Sequence, residues 1–218
     1  MLFLDSADVT RSQPWLDMAV VRGVTTNATL MRKAGVMPVQ LVVKRLLDLD
    51  PGELHVQVLS EDEETAYGEA LALADLDNRV RIKVPFVTSG GRYRTALIRR
   101  LQSSGVAVNV TACTSRAQAY AALALCPSYI SLLWCRTRDA GESPAEVTAA
   151  LARRRDRDAP DCRVLIGSIR EGADVTAALD SCADIVTVPP AVLEDWLHSP
   201  ASVAMAGQFA ADAAELTL

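Results

Sequence analysis

The stretch VRIKVPFVTSGG, Val80 to Gly91, sets a lysine inside a run that otherwise has the character of a buried β-strand. The whole chain carries three lysines, Lys33, Lys44 and Lys83, against nineteen arginines. The alternation of Arg81 and Lys83 with Val80, Ile82 and Val84 admits two placements. In one, the cations form the wet face of an edge strand. In the other, the strand lies in a parallel sheet covered on both faces, and the cations point into a barrel or a helix layer. An arginine holds its charge unconditionally, whereas burial can strip the proton from a lysine and leave a nucleophilic amine. Arg81 would lie about 6–7 Å below Lys83 on the same face, where a like charge lowers the lysine's pKa further. Pro85 cannot donate to a central ladder and marks the strand's end.

Outward from this strand, short aliphatic runs alternate with Ala/Leu-rich amphipathic segments. Strands are expected near Leu2–Asp5, Gly23–Thr26, Leu54–Leu59, Val80–Val84, Ala107–Val110, Tyr129–Leu133, Arg163–Ile166 and Ile185–Val188. Helices are expected at Glu61–Leu76, Gly91–Ser103, Ser115–Leu125, Ser143–Asp156 and Glu171–Ser181. Alternation of this kind predicts a parallel α/β sheet. Eight repeats suit a closed (β/α)₈ TIM barrel, although about 250 residues is more usual. A doubly wound open sheet is the alternative, but DSADV, not G-x-G-x-x-G, follows the first strand. A single domain over residues 1–218 is expected. Residues 199–216 form an extra C-terminal helix, which closes the barrel base or packs on a neighbouring subunit. The charge run RRRDRDAP, Arg153–Pro160, reads as a solvated helix end.

Composition narrows the function. Half of the 218 residues are hydrophobic and few are aromatic, which favours helices packed on a buried sheet. A net charge of −5 argues against a nucleic-acid partner. No run approaches the ~18–20 apolar residues of a membrane span. Asp5 interrupts the N-terminal MLFLDSADV, so no signal peptide is expected. The five cysteines are odd in number and form no close C-x-x-C pair, which fits reduced thiols in the cytoplasm. Two distant histidines, His55 and His198, offer little to a metal.

In a (β/α)₈ barrel the reactive residues sit at the C-terminal ends of the strands. Those ends carry Asp5, then Thr25, Thr26 and Asn27, then Gln57, Lys83, Asn109 with Thr111, Arg136, and Ser168 with Arg170. Each has an ordinary structural role available. Asp5, Asn27 and Ser168 can cap helices, and Arg136 and Arg170 can be surface residues. Their joint placement at one rim is the signal. A desolvated Lys83 can attack a carbonyl to form a Schiff base.

The blocks FLDSADV, GVTTNATL, RIKVPFVTSGG and VNVTACTSRAQA resemble those of the transaldolase family, in particular its small members that include fructose-6-phosphate aldolase. The resemblance runs from Leu2 to the final helix. It implies a (β/α)₈ barrel with the Schiff-base lysine on the fourth strand, at Lys83. By the same resemblance, Lys83 holds a dihydroxyacetone unit as an imine and then an enamine, and Asp5 shuttles protons near the donor hydroxyls. Thr111 positions the catalytic water. Asn27 and Asn109 hydrogen-bond the donor, with Thr25, Gln57 and Ser131 in the same substrate-binding set. Arg136, Ser168 and Arg170 match the phosphate-binding set, and two guanidiniums with a hydroxyl suit a phosphate dianion. No cofactor or metal is implied. A homo-oligomer is, with a ring-based decamer as the form that the small members imply.

The sequence departs from the family pattern at several places. Transaldolases proper carry glutamate where Gln57 stands, and an amide cannot take that proton. The aldolase branch has glutamine there with a tyrosine on the sixth strand, where this chain has Leu133. Ala28 replaces a proline and Ile169 a phenylalanine, which would alter the pocket floor. The implied activity is transfer of a dihydroxyacetone unit from fructose 6-phosphate or sedoheptulose 7-phosphate to an aldose phosphate. A specialised transaldolase with a larger acceptor such as ribose 5-phosphate, in an unusual-sugar pathway, is the first alternative. A sugar-phosphate-binding barrel with impaired catalysis is the second.

Overall fold

A computed structural model describes residues 1–35 and 38–216 of the chain. The last two residues of the expected domain span therefore lie outside the described part. Eight strands, β1 (Leu2–Asp5), β2 (Gly23–Thr25), β3 (Glu53–Gln57), β4 (Val80–Pro85), β5 (Val108–Cys113), β6 (Tyr129–Leu133), β7 (Arg163–Gly167) and β8 (Ile185–Val188), close into a barrel in sequence order. All pairs are parallel, and β8 returns to β1 through Leu2↔Val186 and Leu4↔Val188. This is a (β/α)₈ TIM barrel with an added C-terminal helix. The sheet has no edge strand, so the wet-edge placement of Lys83 fails: Lys83 is only 7% exposed.

The helices are α1 (Val9–Asp17), α2 (Ala28–Lys33), α3 (Val39–Leu47), α4 (Glu63–Ala74), α5 (Thr95–Ser103), α6 (Arg116–Leu123), α7 (Trp134–Asp139), α8 (Pro144–Asp158), α9 (Gly172–Asp180), α10 (Pro190–Leu197) and α11 (Pro200–Ala214). Side chains of Asp8, Asn27, Asp62, Ser115, Ser143 and Ser199 accept a backbone N–H at the helix starts, satisfying donors that the first turn leaves free. Outward-facing strand residues such as Leu54, Ile82, Val110, Ile130 and Ile166 pack against helix residues such as Leu46, Leu101 and Leu151 in one buried layer. Each such side chain contributes about 1.5–3 kcal/mol. Inside the barrel the apolar part is small, comprising Phe3, Tyr129, Leu165 and Ile185. Gly23 makes room for it, because a Cβ there would stand 2.7 Å from the Phe3 ring.

Two local expectations are corrected and a third is qualified at one residue. The segment from Gly91 does not start a helix: Val87 and Tyr93 form an antiparallel bridge, Gly91 adopts φ +78°, and α5 begins at Thr95. The charge run is the solvated end of α8 at Arg153, Arg154 and Asp156–Asp158, but Arg155 turns inward, with its side chain 12% exposed, ion-pairs with Asp184 and donates to the Cys162 carbonyl. Arg81 turns its guanidinium toward the N-terminal mouth, donating to the carbonyl of Asn78 at 2.6 Å and standing 3.9 Å from Glu53.

Candidate active site

The registers Gln57↔Lys83↔Asn109 and Pro85↔Thr111 set these residues side by side on the barrel's inner wall. Above them opens a cavity of about 350 Å³ at the C-terminal face, lined by Asp5, Asn27, Gln57, Lys83, Thr111, Ser131, Arg136 and Ser168, with Leu133 and Thr187. Lys83 Nζ donates to the Thr26 carbonyl at 2.8 Å. Burial lowers the lysine's pKa, and the Asp5 charge opposes the shift. Burial likewise raises Asp5, against the Lys83 charge and a hydrogen bond from Thr25. Burial therefore moves both groups toward their uncharged forms. A neutral amine still has one proton for Thr26 and keeps its lone pair for a carbonyl carbon. The expected contribution of Arg81 is absent, because that charge faces the other mouth.

Thr25 is fully buried and does not line the cavity. Its hydroxyl donates to Asp5 Oδ1 at 2.8 Å and lies 2.8 Å from Thr187 Oγ1, so it orients the carboxylate. Asn109 is also out of the cavity: its Nδ2 meets His55 Nδ1 at 2.9 Å and its Oδ1 accepts from Ser131 at 2.7 Å. Asn27 caps α2, its Oδ1 accepting from Leu30 N at 3.0 Å, and also lines the cavity. Thr111 lies within a register shift between Val110 and Cys113, where Ala112 adopts φ +62°. Such a bulge re-aims the strand end at a site.

On the far wall Ser168 adopts φ +60°, and its carbonyl accepts the Cys135 N–H at 3.3 Å, joining β7 to the start of α7. Arg136 and Ser168 face the cavity together. Arg170 does not: it is half exposed and holds Asp139 in a bidentate ion pair. Ile169 is packed in the core and leaves the cavity floor untouched. Buried Asp174 ties these loops, accepting from Trp134 Nε1, Cys135 Sγ, Arg138 Nη1 and the Arg170 N–H.

The model of the family described as transaldolase/fructose-6-phosphate aldolase matches residues 2–217. The chain belongs to that family. A probable transaldolase from Anaeromyxobacter sp. (strain Fw109-5) is 31% identical over 210 residues, covering 96% of this chain and 95% of the relative. One from Rhodospirillum centenum is 32% identical over 211 residues, covering 96% and 89%. Among solved structures, a mandelate oxidase mutant superposes with TM-score 0.61 at 14% identity, over 87% of this chain and 64% of that one. Inosine 5′-monophosphate dehydrogenase from Legionella pneumophila gives TM-score 0.60 at 15% identity, over 88% and 58%. At that identity, and with the chain spanning under two thirds of each, the likeness shows the barrel alone.

Within this family member, sequence reasoning missed Thr187, Thr29 and Leu165 as cavity residues. Thr187 had a signal, as the one polar residue in the apolar strand IVTV with inward-facing spacing. Among the described residues, no helix is long and apolar enough to cross a membrane.

Proposed function

We propose that this chain is a transaldolase that carries a dihydroxyacetone unit on Lys83, taking it from fructose 6-phosphate or sedoheptulose 7-phosphate and delivering it to an aldose phosphate. The observation that carries this is the buried amine of Lys83, shifted toward its neutral form, at the cavity wall with Asp5. The amine attacks the ketose carbonyl, and loss of water gives an iminium. That cation draws the electrons of the breaking carbon–carbon bond as Asp5, or a water on Thr111, takes the hydroxyl proton, and the remaining fragment departs as an aldose phosphate. The resulting enamine attacks the acceptor aldehyde, whose oxygen takes back the proton held by Asp5 or the water, and hydrolysis of the re-formed iminium then releases the product and the free amine of Lys83. The iminium is the electron sink, so the chemistry needs neither metal nor organic cofactor.

Asp5 is the one carboxylate among the described residues lining the cavity. With Gln57 unable to accept a proton and Leu133 apolar, proton handling falls to Asp5, whose raised pKa suits alternate acid and base duty. Arg136 and Ser168 take the phosphate, and Arg170 joins them by leaving Asp139. The presence of Gln57 and Leu133 in the cavity also favours a second reading, a sugar-phosphate-binding barrel with weak or no turnover. Replacing Lys83 with Met tests the first reading: turnover falls by about 10⁴-fold or more with the fold retained, and an unchanged rate removes Lys83 from the reaction; a wild-type protein that binds the sugar phosphate without turning it over favours the second.

In this reading the assembly is a homo-oligomer, with the ring-based decamer of the small family members as its form, and α11 is its contact. Every residue of α11 is exposed, and Met205 and Phe209, one turn apart, are 56% and 63% exposed. A second copy that covers this face removes the apolar surface from water. Five unpaired cysteines fit a reducing cytoplasm.

A further inference from the structure

Beneath the cavity the barrel holds a file of hydrogen bonds where branched apolar side chains usually stand. Glu53 Oε2 lies 3.2 Å from His55 Nε2, His55 Nδ1 lies 2.9 Å from Asn109 Nδ2, and Asn109 Oδ1 lies 2.7 Å from Ser131 Oγ. His55 and Asn109 are fully buried and Ser131 is nearly so. Glu53 sits at the opposite mouth, where its Oε1 accepts from Tyr129 at 2.8 Å and faces Arg163 at 3.5 Å and Arg81 at 3.9 Å. Neither Glu53 nor His55 has a part in the chemistry above.

The direction of every bond in the file follows from its anchor. A carboxylate only accepts, so His55 donates from Nε2. Burial, against the Glu53 hydrogen bond, lowers the ring's pKa to about 4, with Lys83 and Arg81 on β4 adding to the shift. The ring is therefore neutral, and its Nδ1 lone pair accepts from Asn109 Nδ2. That turns Asn109 Oδ1 to Ser131 and takes the serine's proton. Ser131 lines the cavity and presents only lone pairs to it.

We propose that Glu53 and His55 are positioning residues that fix the Asn109 amide from the far mouth of the barrel, so that Ser131 meets the bound sugar as an acceptor for one of its hydroxyls. The choice of a sugar as ligand rests on the transaldolase reading; the polarity of the file does not.

The chain has two histidines, so a long-range ¹H–¹⁵N correlation spectrum resolves both rings, and exposed His198 serves as the reference. His55 is expected as the neutral Nε2–H tautomer between about pH 5 and 8. An Nδ1–H tautomer, or a charged ring at neutral pH, overturns the proposal without reference to any substrate. Glu53→Gln supplies the second test. Its amide oxygen stays with Tyr129 and the arginines, so its NH₂ faces His55. The ring then switches to Nδ1–H, Asn109 flips, and Ser131 turns its proton to the cavity. The expected result is the tautomer switch in the same spectrum, with KM for fructose 6-phosphate raised about tenfold and kcat changed less than about threefold. A switch that leaves KM unmoved overturns the proposal.

His55→Asn places an amide oxygen near the former Nδ1 and keeps KM within about twofold, whereas His55→Leu raises it about tenfold. Equal KM for those two variants also overturns it, and this pair decides the matter if Glu53→Gln does not fold. A wild-type protein without turnover would sink the transaldolase reading alone, and the spectrum would then decide the polarity.

Discussion

Replacing Thr25 with Val keeps the shape of a fully buried side chain and deletes the hydroxyl that joins Asp5 to Thr187. Because Asp5 Oδ1 takes the proton of Thr25, the Thr187 hydroxyl donates to Thr25 Oγ1. The substitution therefore removes one hydrogen bond to a carboxylate and one between hydroxyls. These contribute about 1.5–3 and about 1 kcal/mol respectively. The methyl that valine adds to the buried site offsets roughly 1 kcal/mol. The expected net loss is about 1.5–3 kcal/mol with Asp5 ionised.

The loss depends on pH in a defined direction. The Thr25 bond favours ionised Asp5, so its removal raises further a pKa that burial has already raised. A raised folded-state pKa contributes stability below the unfolded value and loses it as pH rises through the folded value. The destabilisation by Thr25→Val is thus largest above the folded pKa of Asp5. It shrinks as pH falls toward the unfolded value of about 3.9. The acid limb of kcat/KM should move to higher pH by the same cause. Urea denaturation of both proteins across pH, with matched pH–rate profiles, measures the two effects. A pH-independent difference in stability, or an acid limb that moves to lower pH, would refute the arrangement of Asp5, Thr25 and Thr187.

Three further predictions bear on the rest of the site. Gln57→Glu sets a carboxylate opposite Lys83 in register, which favours the ammonium; capture of ketose on Lys83 should then require higher pH, and an unchanged pH dependence would refute that proximity. Arg136→Ala should raise KM for a ketose phosphate about tenfold or more while leaving free dihydroxyacetone little affected; equal effects on both would remove Arg136 from phosphate binding. Phe209→Asp on α11 should shift sedimentation toward smaller species, and an unchanged sedimentation coefficient would exclude that face as the contact.

The strand carrying Lys83 shows how far the sequence was legible. Alternation over Val80–Val84 could not separate a wet edge from a barrel interior, because both place Arg81 and Lys83 on one face. The count of eight strands separated them, since closure leaves no edge. What stayed hidden depended on partners far away in sequence. Arg81 turns downward because Glu53, on the neighbouring strand, receives it at the other mouth. Asn109 is drawn from the cavity by His55, and Arg170 by Asp139. Helix α7 escaped notice because the chain passes into it from β6 through Leu133, with no side-chain cap and no turn residue to mark its start. The turn at Gly91 was masked by the apolar spacing of the helix behind it, where only the left-handed φ of a glycine reveals the hairpin.

The central claim is a covalent bond between Lys83 Nζ and the ketose. Reduction with borohydride in the presence of fructose 6-phosphate, followed by peptide mass analysis, tests it most directly. The account predicts a three-carbon dihydroxyacetone adduct on the peptide containing Lys83, and none on Lys33 or Lys44. A protein that binds the sugar phosphate and yields no adduct on Lys83 would contradict it.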